Sequence, residues 1–135
     1  MNVVLDTNVV VSGIFWRGDS RKCLMLWAKR RFQLAITTAI FEEYCEIARR
    51  VGRKIPRVNP EPWLNWIQSK AKVYDPAPLG KRRSRDPEDD PFLACALAGN
   101  SKIIVSKDND SLSLEKPFGI EILTPPQFLA RFRRN

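Results

Sequence analysis

The side chains best placed for chemistry in this 135-residue chain are four carboxylates, Asp6, Glu43, Asp89 and Asp108, each set at the end of an apolar run or early in a helix that follows one. Two carboxylates about 4 Å apart repel by roughly 4 kcal/mol at an effective dielectric of 20, so a cluster of four must take up protons or hold a cation. Oxygen ligands with no imidazole or thiolate beside them suit Mg²⁺ or Mn²⁺ better than zinc. The chain contains no histidine, which removes Ser-His triads, imidazole acid/base catalysis and His-ligated zinc. Each acid also has a plainer reading: Asp89 as a helix cap, Glu43 as a solvated helix residue, Asp108 as a turn former, Asp6 as a loop acid. Whether they act together depends on the elements that carry them.

Those elements alternate. Asn2 to Leu5 is a short apolar run ending on Asp6 and reads as a buried strand. A turn region from Gly13 to Gly18 follows, after which Ser20 caps a helix with Cys23, Leu24, Trp27 and Ala28 on one face. Phe32–Ile36 is a second strand, and Thr37 or Thr38 caps a helix carrying Ile40, Phe41, Tyr44, Ile47, Ala48 and Val51, with Gly52 at its stop. Pro62 opens a short helix around Trp63 and Trp66, and Lys72–Tyr74 adds a strand. Residues 76–88 are polar and rich in breakers, a surface loop. Asp89-Asp90-Pro91 then starts a helix that ends at Gly99-Asn100. Lys102–Ser106 is the clearest strand, Ile120–Leu123 an edge strand, and Pro125-Pro126 opens a last helix with Phe128, Leu129 and Phe132.

Strands alternating with helices imply βαβ units, hence an α/β fold with a parallel sheet, covered on both faces and joined by right-handed crossovers. Every strand then ends on one edge, where ligands of such sheets bind, and all four acids follow strand ends or open the next helix.

Length bounds this to one domain over residues 1–135. Twenty-three Lys and Arg against 15 Asp and Glu leave a formal charge of +8, which suits a polyanionic partner such as nucleic acid. No apolar stretch approaches the ~20 residues of a membrane span, and no signal peptide is visible, so a cytoplasmic location is expected. Cys23, Cys45 and Cys95 are too widely spaced for a disulfide framework or metal clasp and read as buried thiols. Lys81, Arg82, Arg83 and Arg85 beside Asp89, with Arg17, Arg21 and Lys22 after the first strand, could guide a phosphate backbone. Trp63 and Trp66 read as core or interface residues, and the tail Arg131 to Arg134 as a fraying basic end.

The segments Val4-Leu5-Asp6-Thr7-Asn8-Val9, Phe41-Glu42-Glu43-Tyr44, Asp86 to Leu93 and Val105-Ser106-Lys107-Asp108-Asn109-Asp110, in that order, resemble those of PIN domains. With the closing Ile122-Leu123-Thr124-Pro125-Pro126-Gln127-Phe128-Leu129, the chain looks most like the single-domain toxin components, VapC-like ribonucleases, of toxin–antitoxin systems. The resemblance implies a three-layer α/β/α fold with a central parallel sheet and a Mg²⁺- or Mn²⁺-dependent endoribonuclease. Its catalytic and metal-binding acids map to Asp6, Glu43, Asp89 and Asp108, with Asn8, Ser106 and Asp110 supporting. Asp89 is preferred over Asp90 because the family's acid usually lies seven residues before a helix alanine, here Ala96. Asp6 would be the central ligand, Asp89 and Asp108 would bind directly or through water, and Glu43 would hold a second ion or orient the attacking water. The products would carry a 5′-phosphate and a 3′-hydroxyl. The implied partners are an RNA substrate, a cognate antitoxin protein and a second copy in a homodimer. Lys107 departs from the small residue that relatives often carry before the last acid, and with Arg82, Arg83 and Arg85 it is a candidate contact for nucleic acid.

Two rivals share some of these features. A haloacid-dehalogenase-type phosphatase also opens with an apolar strand ending in Asp but needs a second Asp two residues on, where this chain has Asn8. A catalytically weak PIN-like module that only binds RNA or protein would keep the basic surface, but it would have no use for four mutually repelling acids.

Overall fold

The structure, a computed structural model, describes residues 1–80, 90–107 and 117–133. Among these, β1 (Asn2–Leu5) is the central strand of five. β2 (Gln33–Ile36) and then β3 (Lys72–Val73) lie on one side of it, β4 (Ile103–Val105) and then β5 (Glu121–Leu123) on the other, giving the order β3-β2-β1-β4-β5 with every pairing parallel. The registers Val3 to Leu34 and Val3 to Ile103 bring the three inner strands level. Val3, Val4 and Leu5, Leu34, Ala35 and Ile36, and Ile103, Ile104 and Val105 are all buried, the continuous apolar runs that a sheet covered on both faces requires.

Six described helices cover that sheet: α1 (Thr7–Phe15), α2 (Asp19–Ala28), α3 (Thr38–Lys54), α4 (Glu61–Lys70), α5 (Asp90–Ala98) and α6 (Pro125–Arg133). The result is the three-layer α/β/α arrangement expected from the alternation, with β5 at an edge. No described helix is long and apolar enough to cross a membrane. All three cysteines are free and buried, and burial pushes the thiols of Cys23 and Cys95 up to about 12, which keeps them protonated and poor nucleophiles.

Three boundaries differ from the sequence reading. The turn expected over Gly13 to Gly18 starts later: the helix α1 follows Asp6 and runs through Gly13 to Phe15, with the turn confined to Trp16–Gly18. Its β-branched residues and glycine are modest helix formers. Burial of Val9, Val10, Val11, Ile14 and Phe15 overrides that preference. Gly13 is there for packing, since a Cβ would sit 2.7 Å from Leu24 Cδ1 and 2.9 Å from the Ser20 carbonyl oxygen, where α2 crosses α1. α2 accordingly starts at Asp19 with Gly18 at its cap position, and Ser20 lies buried in its first turn instead of capping it. Gly52 does not stop α3, which continues to Lys54; a Cβ there would meet the Pro60 ring at 3.4 Å, so it marks where the chain folds back on the helix. The Thr37 cap is as expected: its Oγ1 accepts from the Ile40 amide at 3.1 Å.

Candidate active site at the end of the first strand

Asp6 sits where β1 becomes α1. Its amide donates to the Val105 carbonyl at 2.9 Å, and its carbonyl accepts from the amides of Val9 at 3.0 Å and Val10 at 3.2 Å. The backbone is thus clamped between a neighbouring strand and the first turn of a helix. The Ser106 hydroxyl donates to Asp6 Oδ2 at 2.9 Å. Burial raises the Asp6 carboxyl above its ordinary 3.8; the Ser106 hydroxyl and the nearby amides of Asn8 and Thr7 oppose that shift, and the charge of Glu43 reinforces it.

Glu43 arrives from the second turn of α3. The residue after it, Tyr44, is fully buried and donates its hydroxyl to the Leu5 carbonyl at the end of β1. Burial, with nearby Cys95, Asp6 and Glu43, holds the Tyr44 phenol well above its ordinary value, so it acts as a neutral donor. That contact fixes the rotation of α3, and the Thr7 hydroxyl donates to Glu43 Oε2 from the first residue of α1. Asp6 and Glu43 are therefore held at one place by two elements distant in sequence. Thr7 and Tyr44 were not singled out as site residues from the sequence; the available signal was their position, each directly after an acid.

Ser106 is buried just beyond β4, where its amide donates to the Leu123 carbonyl at 2.8 Å. Lys107 follows it to the surface, and its Nζ donates to Ser12 Oγ on α1 at 3.1 Å. Asn8 is exposed in the first turn of α1. Arg21 is committed to the fold, donating to the carbonyls of Gly13 and Ile14 (the latter at 2.8 Å) and so closing the end of α1.

α5 packs across β1, β2 and β4. Its far end is tied to the opposite edge of the sheet, where Gly99 O accepts from Asn2 Nδ2. Asp89, Asp108 and Asp110, like Lys81, Arg82, Arg83 and Arg85, lie outside the described residues. Among the described residues no three His, Cys, Asp or Glu gather closely enough to hold a metal ion. The described acids of the site are Asp6 and Glu43. A desolvated carboxylate with a second carboxylate nearby is short of positive charge, and an all-oxygen donor set of this kind fits a hard divalent cation.

A family model described as "PIN domain" matches residues 2–110. A search of curated proteins finds no match. Among solved structures, the fold is similar to that of PAE2754 from Pyrobaculum aerophilum, with a TM-score of 0.66 and 19% identity, covering 100% of this chain and 91% of that one. At that identity the likeness concerns the fold. PIN domains are in general nucleases that use divalent metals. With its family model spanning β1 to beyond β4 and Asp6 at the junction of β1 and α1, this chain belongs to the PIN domain family.

Proposed function

We propose that this protein is a Mg²⁺- or Mn²⁺-dependent endoribonuclease that hydrolyses single-stranded RNA, and that it is the toxin of a toxin–antitoxin pair. The observation that carries the proposal is the placing of Asp6: a buried acid, its carboxyl pushed up by desolvation, at the ligand-binding edge of a parallel sheet, with a second acid nearby and a hydroxyl orienting it.

Asp6 and Glu43, with Asp89 and Asp108, are the residues that would hold the ion. A divalent ion so held acidifies water without a histidine base and neutralises charge developing on the scissile phosphate. The chain's own residues do the positioning. Ser106 holds Asp6 Oδ2, Thr7 restrains Glu43, and Tyr44 keeps α3 in register with the strand end. Lys107, exposed beside Ser106, can meet a phosphate of the substrate, and Arg82, Arg83 and Arg85 add to the basic charge that draws a polyanion. The antitoxin partner and a homodimer rest on the resemblance of the ordered motif segments, including Ile122 to Leu129, to single-domain toxins.

The test is cleavage of a defined, end-labelled single-stranded transcript while Mn²⁺ is titrated. We expect metal-dependent cleavage that falls to background in Asp6→Asn with the melting temperature retained. Undiminished cleavage in EDTA, or by the Asn variant, overturns the mechanism.

A further inference from the structure

Beside the acids the same edge of the sheet carries a hollow of about 470 Å³ that the hydrolytic site does not use. That volume lies in the roughly 300–1,000 Å³ range of small-ligand sites. Its walls include Ser12 and Trp16 from α1 and the turn after it, Arg17, Lys107, and Thr124 and Pro125 at the start of α6. Trp16 is 48% exposed, although Gly13, Ile14 and Phe15 just before it are buried, and its ring leans on Phe15 with centroids 6.0 Å apart. An exposed indole held by a buried neighbour is a preformed stacking surface. Arg17 is exposed and makes no ion pair with a described residue. Lys107 supplies a second cation, while the carboxylate of Asp19 on the rim is engaged by Lys22 at 3.7 Å.

Two helices begin at this hollow, and they differ. The start of α6 is closed by a reciprocal pair, Thr124 N to Gln127 Oε1 at 2.9 Å and Gln127 N to Thr124 Oγ1 at 3.3 Å. The start of α2, capped only by Gly18, has no side-chain cap bond, so its first amides are left for an anion. The hollow is linked to the acids through the residues after β4 and through α1. Ser106 reaches Asp6 and the next residue, Lys107, reaches Ser12; α1 itself, nine residues or roughly 14 Å long, runs from Asp6 to the hollow.

The geometry points to a nucleotide subsite: Trp16 stacks a base of the single strand a few nucleotides from the scissile bond, and Arg17 with Lys107 holds the adjoining phosphate. This deepens the ribonuclease reading and rests on it. It makes Trp16 a specificity residue that favours an unpaired base, since a paired one offers no free face.

The experiment measures binding of a fluorescein-labelled single-stranded RNA decamer to full-length Asp6→Asn protein, which retains substrate without cutting it. To that parent are added Trp16→Ala, Trp16→Phe or Arg17→Ala, each checked by its melting temperature. We expect Trp16→Ala to weaken binding about tenfold and Trp16→Phe to restore most of it, as loss and return of one stacking platform does. Arg17→Ala should lower the slope of log affinity against log salt by about 0.7, the share of one phosphate on a single strand. In the chain with Asp6 intact, Trp16→Ala should raise KM and leave kcat. If the parent binds the decamer but Trp16→Ala and Arg17→Ala bind it equally well with the same slope, the subsite is overturned and the ribonuclease reading stands. If the parent binds no RNA at all, both fall.

Discussion

The two ends of β1 carry polar residues four positions apart, and the structure treats them in opposite ways. At the start, the Asn2 amide donates to the Tyr74 hydroxyl at 2.7 Å and to the Gly99 carbonyl at 2.8 Å. Both donors are used, no charge is involved, and Gly99 has no side chain because the Tyr74 ring occupies the place, 2.9 Å from where a Cβ would be. At the finish, Asp6 is offered one hydroxyl and the nearby amides of Thr7 and Asn8, yet sits desolvated with Glu43 near it. The first end is closed for the benefit of the fold. The second is left in electrostatic deficit, and a fold tolerates such a deficit where a ligand is meant to relieve it.

If that contrast is right, loosening the support of Asp6 should damage metal use far more than stability. Ser106→Ala removes the hydroxyl that holds Asp6 Oδ2 and also lifts one of the influences that lower the Asp6 carboxyl. Outer partners of metal-ligating groups are commonly worth 10–100-fold in affinity. We expect the Mn²⁺ concentration giving half-maximal cleavage to rise by about that factor, with the same rate at saturating metal. An unchanged metal requirement would mean that Asp6 is oriented by its backbone alone.

How legible this asymmetry is in the sequence follows from what each kind of signal reports. Burial on both faces makes β1, β2 and β4 continuous apolar runs, so the parallel sheet could be read from Val3 to Leu5, Leu34 to Ile36 and Ile103 to Val105. The Thr37 cap and the Pro62 helix start are local chemistry, and local chemistry is written in adjacent residues. α1 was hidden because Val9, Val10 and Val11 look like strand residues and Gly13 like a turn; the contact with Leu24 that makes Gly13 necessary is eleven residues away. The placement of Glu43 beside Thr7 depends on Tyr44 reaching Leu5 across thirty-nine positions, a tertiary contact with no local trace. Trp16 likewise gives no sign in the chain that it stays exposed when its neighbour Phe15 is buried.

The other half of the comparison calls for the reverse outcome. Asn2→Ala leaves the Gly99 carbonyl and the Tyr74 hydroxyl without their donor at a part-buried position. A lost partner there costs about 1–3 kcal/mol, which urea unfolding would register as a lower midpoint with an unchanged slope. Cleavage per folded molecule should stay as it was. Asp6→Asn should do the opposite, losing cleavage with no lowering of the midpoint, since Asn still accepts from Ser106 and serves equally well at the helix start. A variant at Asn2 that folds well but cleaves poorly would show that the two ends are mechanically coupled through the three residues between them.

The smallest effect concerns charge itself, in protein stripped of metal. Because burial raises the Asp6 carboxyl above 3.8, the native state binds a proton there more tightly than the unfolded chain does. Between 3.8 and the raised native value the native state carries the extra proton, so this group's contribution to stability falls as pH rises through that window and is constant on either side. Each unit of elevation corresponds to about 1.4 kcal/mol. Asp6→Asn has no such proton, so its stability advantage over the unsubstituted protein should grow from acid pH through the window and then level off. Mn²⁺ at 100 times its dissociation constant should return about 2.7 kcal/mol at neutral pH to the protein with Asp6 and nothing to the variant. If the difference between the two proteins is instead flat with pH, Asp6 is as fully settled as Asn2, and the deficit that marks this end of β1 as the working one does not exist.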